Sequence, residues 1–212
     1  MENLISALHA DISVIGTLKT FRKGARMLDM GMPIAHLYLV VKGRVIMTKN
    51  FRNSKKRHIC HIMYPGEFVG IGEIFSKEKT SRMSAFALGE EVRAWKIPYF
   101  KFELELRQNS NLVDCIILQF IKKRQEIWKR YQRKRSLSSP DVIIEFLKDI
   151  AKERGVAENG WIVAQGFTHS ELGAYIGICR QSITQTLNSL KKENLIKYNR
   201  SEFLINPKLL QK

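Results

Sequence analysis

Thr168-His-Ser-Glu-Leu-Gly-Ala-Tyr-Ile-Gly-Ile-Cys-Arg-Gln-Ser-Ile-Thr-Gln-Thr-Leu-Asn-Ser-Leu-Lys-Lys192 carries the strongest local signal in the 212-residue chain. Thr168 and Glu171 have the spacing of a capping box, in which hydroxyl and carboxylate satisfy each other's backbone donors at a helix start. Leu172 and Ile176 then share one face, four residues apart. Gly173 between them removes a side chain where a second helix approaches closely. Gly177 ends the helix and suits the left-handed backbone of a tight turn. A second helix is expected from about Arg180 to Lys192, with Ile183, Leu187 and Leu190 inward. Short helix, glycine turn and second helix make a helix-turn-helix.

The outward start of that second helix holds Arg180, Gln181, Ser182 and Gln185. Arginine matches guanine O6/N7 and glutamine matches adenine N6/N7 in the major groove. The competing reading is an ordinary polar surface face. Downstream, Asn194–Tyr198 and Phe203–Ile205 flank the polar tip Asn199-Arg-Ser-Glu202, a hairpin suited to a wing. Lys191, Lys192, Lys197 and Arg200 are candidate phosphate contacts, with Thr168 and Ser170 at the start of the first helix. Gly160–Gln165 reads as a further strand.

Upstream, Val113, Ile117, Phe120, Ile127 and Tyr131 recur at three-, four- and seven-residue steps. No Gly or Pro intervenes between Pro98 and Pro140, so one helix of roughly 25 residues is expected from Asn109. Its apolar stripe suits dimerisation, and an ordinary packed helix is the alternative. Ser139, Pro140 and Asp141 read as N-cap, first helical residue and acidic first turn of the next helix, which carries Ile143, Ile144, Phe146, Leu147 and Ile150 and ends near Gly155.

Thr17–Pro98 reads as short strands. Leu37–Val41 and Arg44–Thr48 suggest a hairpin around Lys42-Gly43, and Phe51–Arg57 a second hairpin tip. His58–Met63 follows, then the turn Tyr64-Pro-Gly-Glu67, then Ser84–Leu88 and Val92–Ile97 separated by Gly89. Strands at this spacing suggest an antiparallel sandwich or barrel. Lys plus Arg number 36 against 20 for Asp plus Glu, a net charge of +16 that favours polyanionic partners. No apolar run is long enough for a membrane span. The start of the chain lacks the pattern of a secretory signal, so a cytoplasmic protein without membrane association is expected. Cys60, Cys115 and Cys179 are odd in number and far apart, and read as buried reduced thiols rather than a disulfide or metal framework.

Taken together, the chain resembles the cyclic-AMP receptor protein/FNR (CRP/FNR) family of bacterial transcription regulators. The resemblance runs through His36-Leu-Tyr-Leu-Val-Val-Lys-Gly-Arg-Val45, Tyr64-Pro-Gly-Glu-Phe-Val-Gly70, Phe167–Gly177, Arg180–Leu187 and Leu190-Lys-Lys-Glu-Asn-Leu-Ile196. It implies an α+β fold: an N-terminal antiparallel β jelly roll like a cyclic-nucleotide-binding domain (1–108), a long dimerisation helix (109–136) and a C-terminal winged helix-turn-helix (137–212). It also implies a homodimer on double-stranded DNA, with RNA polymerase as a further partner. By position, Arg180, Gln181 and Gln185 fall where the family reads bases.

The chain departs from the family at the effector pocket, expected around Ile71, Gly72, Glu73, Ser81, Arg82 and Ser84. Ile71 stands at the ribose position, where the family has an acid. Glu73 reaches it only with a two-residue shift, and Ser81-Arg82-Met83 lacks the family's Arg-Ser pair. An aliphatic side chain cannot accept a ribose hydroxyl, and an unpaired polar group costs about 1–3 kcal/mol. Cyclic AMP is therefore not the expected effector, and no cofactor is assigned. No cysteine cluster precedes Cys60, as an iron–sulfur sensor requires. His36, His58 and His61 give no clear haem ligand, and nothing near Cys60 or Cys115 marks a redox switch. No catalytic fingerprint is present, so no enzymatic activity is expected. The alternatives are a cupin-like metal-binding barrel or enzyme and a non-specific basic architectural protein.

Overall fold

The computed structural model describes residues 12–50, 58–74, 76–199 and 202–211. The chain divides into two compact units, Met1–Gln125 and Glu126–Lys212. No helix among the described residues is long and apolar enough to cross a membrane.

In the first unit, β1 (Thr17–Arg22), β2 (Arg26–Leu28), β3 (His36–Lys49), β4 (His58–Met63), β5 (Phe68–Val69) and β6 (Ser84–Pro98) form one antiparallel sheet. Its frame is the pairing of β3 with β6, from His36 opposite Pro98 to Thr48 opposite Ser84. The hairpin expected at Lys42-Gly43 does not form, and Gly89 does not divide its strand. Each glycine instead sits at positive φ inside a continuous strand, 80° at Gly43 and 97° at Gly89. The register shifts on both sides of Lys42. A Cβ on Gly43 would lie 2.5 Å from the Glu91 carbonyl oxygen, so only glycine lets the two backbones approach this closely.

Partners change across this irregularity. On one side β1 pairs with the second half of β6 and β5 with Tyr38–Leu39. On the other, β2 pairs with Ala85–Phe86 and β4 with Val45–Lys49. Two long strands shared between two groups of partners give the jelly roll. Alternation along β3 feeds two core clusters. Leu37 and Leu39 join Phe68, Ile97 and Phe102, while Tyr38 and Val40 join Val45, Val69 and Val92. The tip expected at 51–57 lies outside the described residues.

Pro98 ends β6, and α1 (Tyr99–Gln108) follows. Asn109 then leaves helical geometry, and its side chain accepts the Leu112 N–H at 3.1 Å. This asparagine cap separates α1 from the 27-residue α2 (Ser110–Ser136) without any Gly or Pro. The face of α2 that meets the sheet is distinct from the stripe read for dimerisation. It consists of Leu112 and Ile116 in the core, then Gln119 and Lys123. Gln119 accepts the Phe68 N–H and donates to its carbonyl, both at 2.8 Å, serving β5 as a strand neighbour would. The buried Lys123 ammonium lies 2.8 Å from Glu67 and donates to the Ile62 carbonyl at 2.7 Å.

In the second unit, α3 (Ser139–Arg154) is capped by Ser138, one residue earlier than expected. The Ser138 hydroxyl accepts the Asp141 N–H, which places Pro140 in the first turn, where no amide is needed. Gly155 ends α3 in extended geometry. Its role is a close approach, since a Cβ there would lie 2.2 Å from Ile162 and 2.4 Å from the Ala151 carbonyl oxygen. The last turns of α2 are tied to this unit. Arg133 pairs with Asp149 and, at 3.2 Å, with Glu145. Arg130 donates to the Tyr175 carbonyl at 2.8 Å and lies 4.1 Å over its ring. The border between the compact units accordingly falls inside α2.

Strands β7 (Val156–Glu158), β8 (Trp161–Gln165), β9 (Ile196–Tyr198) and β10 (Glu202–Ile205) form a sheet in the order β7-β8-β10-β9. Between β8 and β9 stand α4 (His169–Ile176) and α5 (Arg180–Lys192). Both halves of the Thr168–Glu171 capping box are formed, and Gly177 adopts φ 76°, ψ 30°. What approaches Gly173 is the turn itself rather than the flank of α5, because a Cβ there would lie 2.5 Å from the Ile178 carbonyl oxygen. Replacing Gly173 by Ala forces that backbone apart. We expect the second unit to lose about 1–3 kcal/mol of stability, read as an earlier thermal transition; an unchanged transition would contradict this packing.

Candidate nucleic-acid interface

The start of α5 is positioned by its buried side. Ile183, Leu187 and Leu190 are each at most 2 % exposed, which turns Arg180, Gln181 and Gln185 to solvent. Cys179 is the N-cap residue of α5. Its sulfur lies 3.2 Å from the Ser182 hydroxyl. Ser182 is therefore only half-exposed and turned toward the cap. Cys179 is exposed, contrary to the expected buried thiol. The Ser182 hydroxyl and neighbouring amides hold its thiol below the usual cysteine range. Cys60 and Cys115 are half-buried, and burial beside Asp114 pushes the Cys115 thiol up.

At the start of α4, Thr168 accepts the Glu171 N–H at 3.2 Å, and Glu171 accepts the Thr168 N–H at 2.8 Å. Ser170 is exposed. A cleft opens here, lined by Thr168, His169, Ser170, Arg180, Tyr198 and Asn199. His169 did not stand out in the sequence. Its signal was its place directly after a capping threonine, where a side chain faces the ligand side of a helix N-terminus. Burial and the Arg180 guanidinium hold its imidazole below the usual histidine range.

Lys191, Lys192 and Lys197 are exposed. Lys191 lies 5.9 Å over the Tyr198 ring, and Lys197 4.5 Å over that of Trp161. The Tyr198 hydroxyl is anchored on Asn188 at 3.0 Å. Arg200, also expected to contact phosphate, lies outside the described residues.

The residues expected around an effector are close together but occupied with their own loop. Ile71 is buried in the core with Phe68 and Ile97. Glu73 is buried and accepts the Arg82 N–H at 2.9 Å. The Ser81 hydroxyl donates to the Met83 carbonyl at 2.7 Å, and the Ser84 oxygen accepts the Met30 N–H at 3.1 Å. Gly72 and the Arg82 side chain are exposed. Among the described residues, no three His, Cys, Asp or Glu side chains gather as metal ligands would.

Comparison with known proteins agrees with both units. The chain matches the cyclic nucleotide-binding domain over residues 18–109 and the Crp-like helix-turn-helix domain over residues 143–212. No curated protein matches it significantly in sequence. Among solved structures it resembles the c-di-GMP-responsive global regulator CLP of Xanthomonas campestris, with 17% identity and a TM-score of 0.76 over 95% of this chain and 98% of that one. It resembles FixK2 of Bradyrhizobium japonicum at 15% identity and a TM-score of 0.77, over 93% and 96% of the two chains. A CRP/FNR-family transcriptional regulator of Thermus thermophilus matches at 19% identity and a TM-score of 0.70, over 92% and 99%. These matches do not favour a cupin-like barrel. With a cyclic-nucleotide-binding domain followed by a Crp-like helix-turn-helix, the chain belongs to the CRP/FNR family of transcription regulators.

Proposed function

We infer that the chain acts as a homodimer that reads a pseudo-palindromic DNA operator. The observation that carries this reading is the exposed face Arg180, Gln181 and Gln185 at the start of a helix fixed by a glycine turn. Such helices enter the major groove with their N-terminal residues at base edges. Ser182 supports the same turn. Thr168, Ser170, Lys191, Lys192 and Lys197 serve as phosphate contacts, with Arg200 given the same role from the sequence alone; such contacts hold the register without reading sequence. RNA polymerase is the further partner that the family implies. The working division is a sensor over 1–108, a dimerisation helix over 109–136 and a DNA-binding domain over 137–212.

Dimerisation is supported by the exposed apolar stripe of α2 that runs beside its core-facing residues. Ile117, Phe120, Ile127 and Tyr131 are 39–49 % exposed, with Trp128 stacked on Tyr131 at 5.6 Å between ring centres. Val113 is half-buried at the head of the stripe. Fully burying such a side chain is worth about 1.5–3 kcal/mol, so covering the exposed half gives about 1 kcal/mol each. Two-fold pairing counts every residue twice, which brings the total near the cost of association, about 4–15 kcal/mol. Ile127→Asp is therefore expected to shift sedimentation from dimer to monomer. A dimer unaffected by that change would place the interface elsewhere.

The sensor unit is proposed to respond to something other than cyclic AMP. Ile71 is core, Glu73 is engaged by the Arg82 amide, and Ser81 and Ser84 are bonded to backbone in their own loop. These groups would have to leave existing partners to hold a ribose phosphate.

Arg180→Ala is expected to lower discrimination at one base pair per half-site by about 1–3 kcal/mol, measured on duplexes substituted one pair at a time. Unchanged sequence preference would remove Arg180 from base readout. For the wild-type dimer, affinity is expected to fall roughly a thousandfold or more between about 50 and 200 mM salt. A flat salt response would contradict DNA binding through the basic rim.

A further inference from the structure

The cleft where α4, α5 and β9 meet holds an imidazole whose tautomer the hydrogen bonds determine. Thr184 has one hydroxyl proton. Its Oγ1 lies 2.9 Å from the Arg180 carbonyl oxygen, which can only accept, so the proton is donated there. The same Oγ1 lies 2.8 Å from His169 Nδ1 and must accept from it. Nδ1 therefore carries the hydrogen, and in the neutral ring the lone pair resides on Nε2.

The groups facing this ring favour the neutral form. From α5 there is the Arg180 cation, which lowers the imidazole's affinity for a proton, as does partial burial. From β9 there is Tyr198, with ring centres 5.5 Å apart and the Lys191 ammonium 5.9 Å above the tyrosine ring. From α4 itself there is Glu171, whose carboxylate is turned back onto the Thr168 N–H at 2.8 Å. The residues lining the cleft thus include donors and a cation but no carboxylate, and that of Glu171 is engaged at the cap.

An entering phosphodiester reverses the balance. Its charge offsets Arg180 and stabilises an imidazolium, whose second N–H becomes one more donor to a phosphate oxygen. We propose that His169 is a proton-linked phosphate contact, neutral in the free protein and protonated at Nε2 when a DNA backbone phosphate occupies this cleft. The proton comes from solvent and adds to the Nε2 lone pair; no covalent bond breaks. This rests on the DNA-binding reading above.

The sign follows from linkage. The complex binds one more proton per engaged protomer than the free protein, so affinity rises as pH falls. The effect operates between the low value of the free ring and the raised value in the complex. Below that window His169 is protonated in both states, above it in neither, and the slope disappears.

The test uses the full-length chain and a fluorescently labelled mixed-sequence duplex of about three helical turns, since a backbone contact is independent of sequence. Anisotropy is measured at fixed ionic strength from about pH 5.5 to about pH 8.5, a range spanning ordinary histidine titration. Wild-type affinity should fall with rising pH by up to about tenfold per pH unit for each engaged protomer, the ceiling for one linked proton. His169→Gln should lose that part of the slope while still binding at high pH. Side-chain 15N spectra of wild-type histidines should show one Nε2 becoming protonated when duplex is added at neutral pH. A slope that His169→Gln retains, or an Nε2 still unprotonated in the saturated complex, overturns the proposal. No wild-type binding at any pH overturns the DNA-binding reading itself, and the proposal with it.

Discussion

The carbonyl oxygen of Ile178 sits where a side chain on residue 173 would have to be. That contact, with Gly177 in the left-handed region beside it, sets the angle between α4 and α5. The angle in turn determines what the start of α5 can present. With Ile183, Leu187 and Leu190 held inward, Arg180, Gln181 and Gln185 have no direction left but outward. The same turn brings Thr184 of α5 under His169 of α4 and makes the cleft beside the wing. The exposed start of α5 and the cleft beside it are thus two consequences of one missing Cβ.

A second constraint acts on α2, which is apolar on two sides. One side belongs to the sheet through Leu112, Ile116, Gln119 and the buried Lys123–Glu67 pair. A buried ion pair is weak evidence of added stability. Here it fixes which residues of α2 face the Tyr64–Phe68 turn and so which side of the helix stays outside. That outer side carries Ile117, Phe120, Ile127, Trp128 and Tyr131. Rotation of the helix to hide them would expose Lys123's partners and break the two Gln119 bonds to Phe68.

Much of this was legible in the sequence because it rests on local chemistry. Capping box, turn glycine and inward leucines identify the helix-turn-helix within 25 consecutive residues. The heptad stripe on α2 was legible too, though it marked the outer face; the inner one mixes leucine and isoleucine with glutamine and lysine, and no apolar pattern reveals it. Gly43 and Gly89 misled for a related reason. Glycine between short strands reads as a turn, yet here it answers to a partner strand far along the chain, which local pattern does not contain. Asn109 and Ser138 were readable caps overlooked in favour of proline and glycine. His169 depends on Thr184, across the turn, and becomes informative only once both helices are in place.

The central claim is that two copies of this chain present the Arg180 face to two half-sites of one duplex. Selection of bound sequences from a random duplex pool, by the full-length protein at near-physiological salt, tests it most directly. The account predicts enrichment of a two-fold-symmetric motif whose half-sites are centred about one helical turn apart, roughly 34 Å. Folded protein that binds the pool yet enriches no symmetric motif would contradict it.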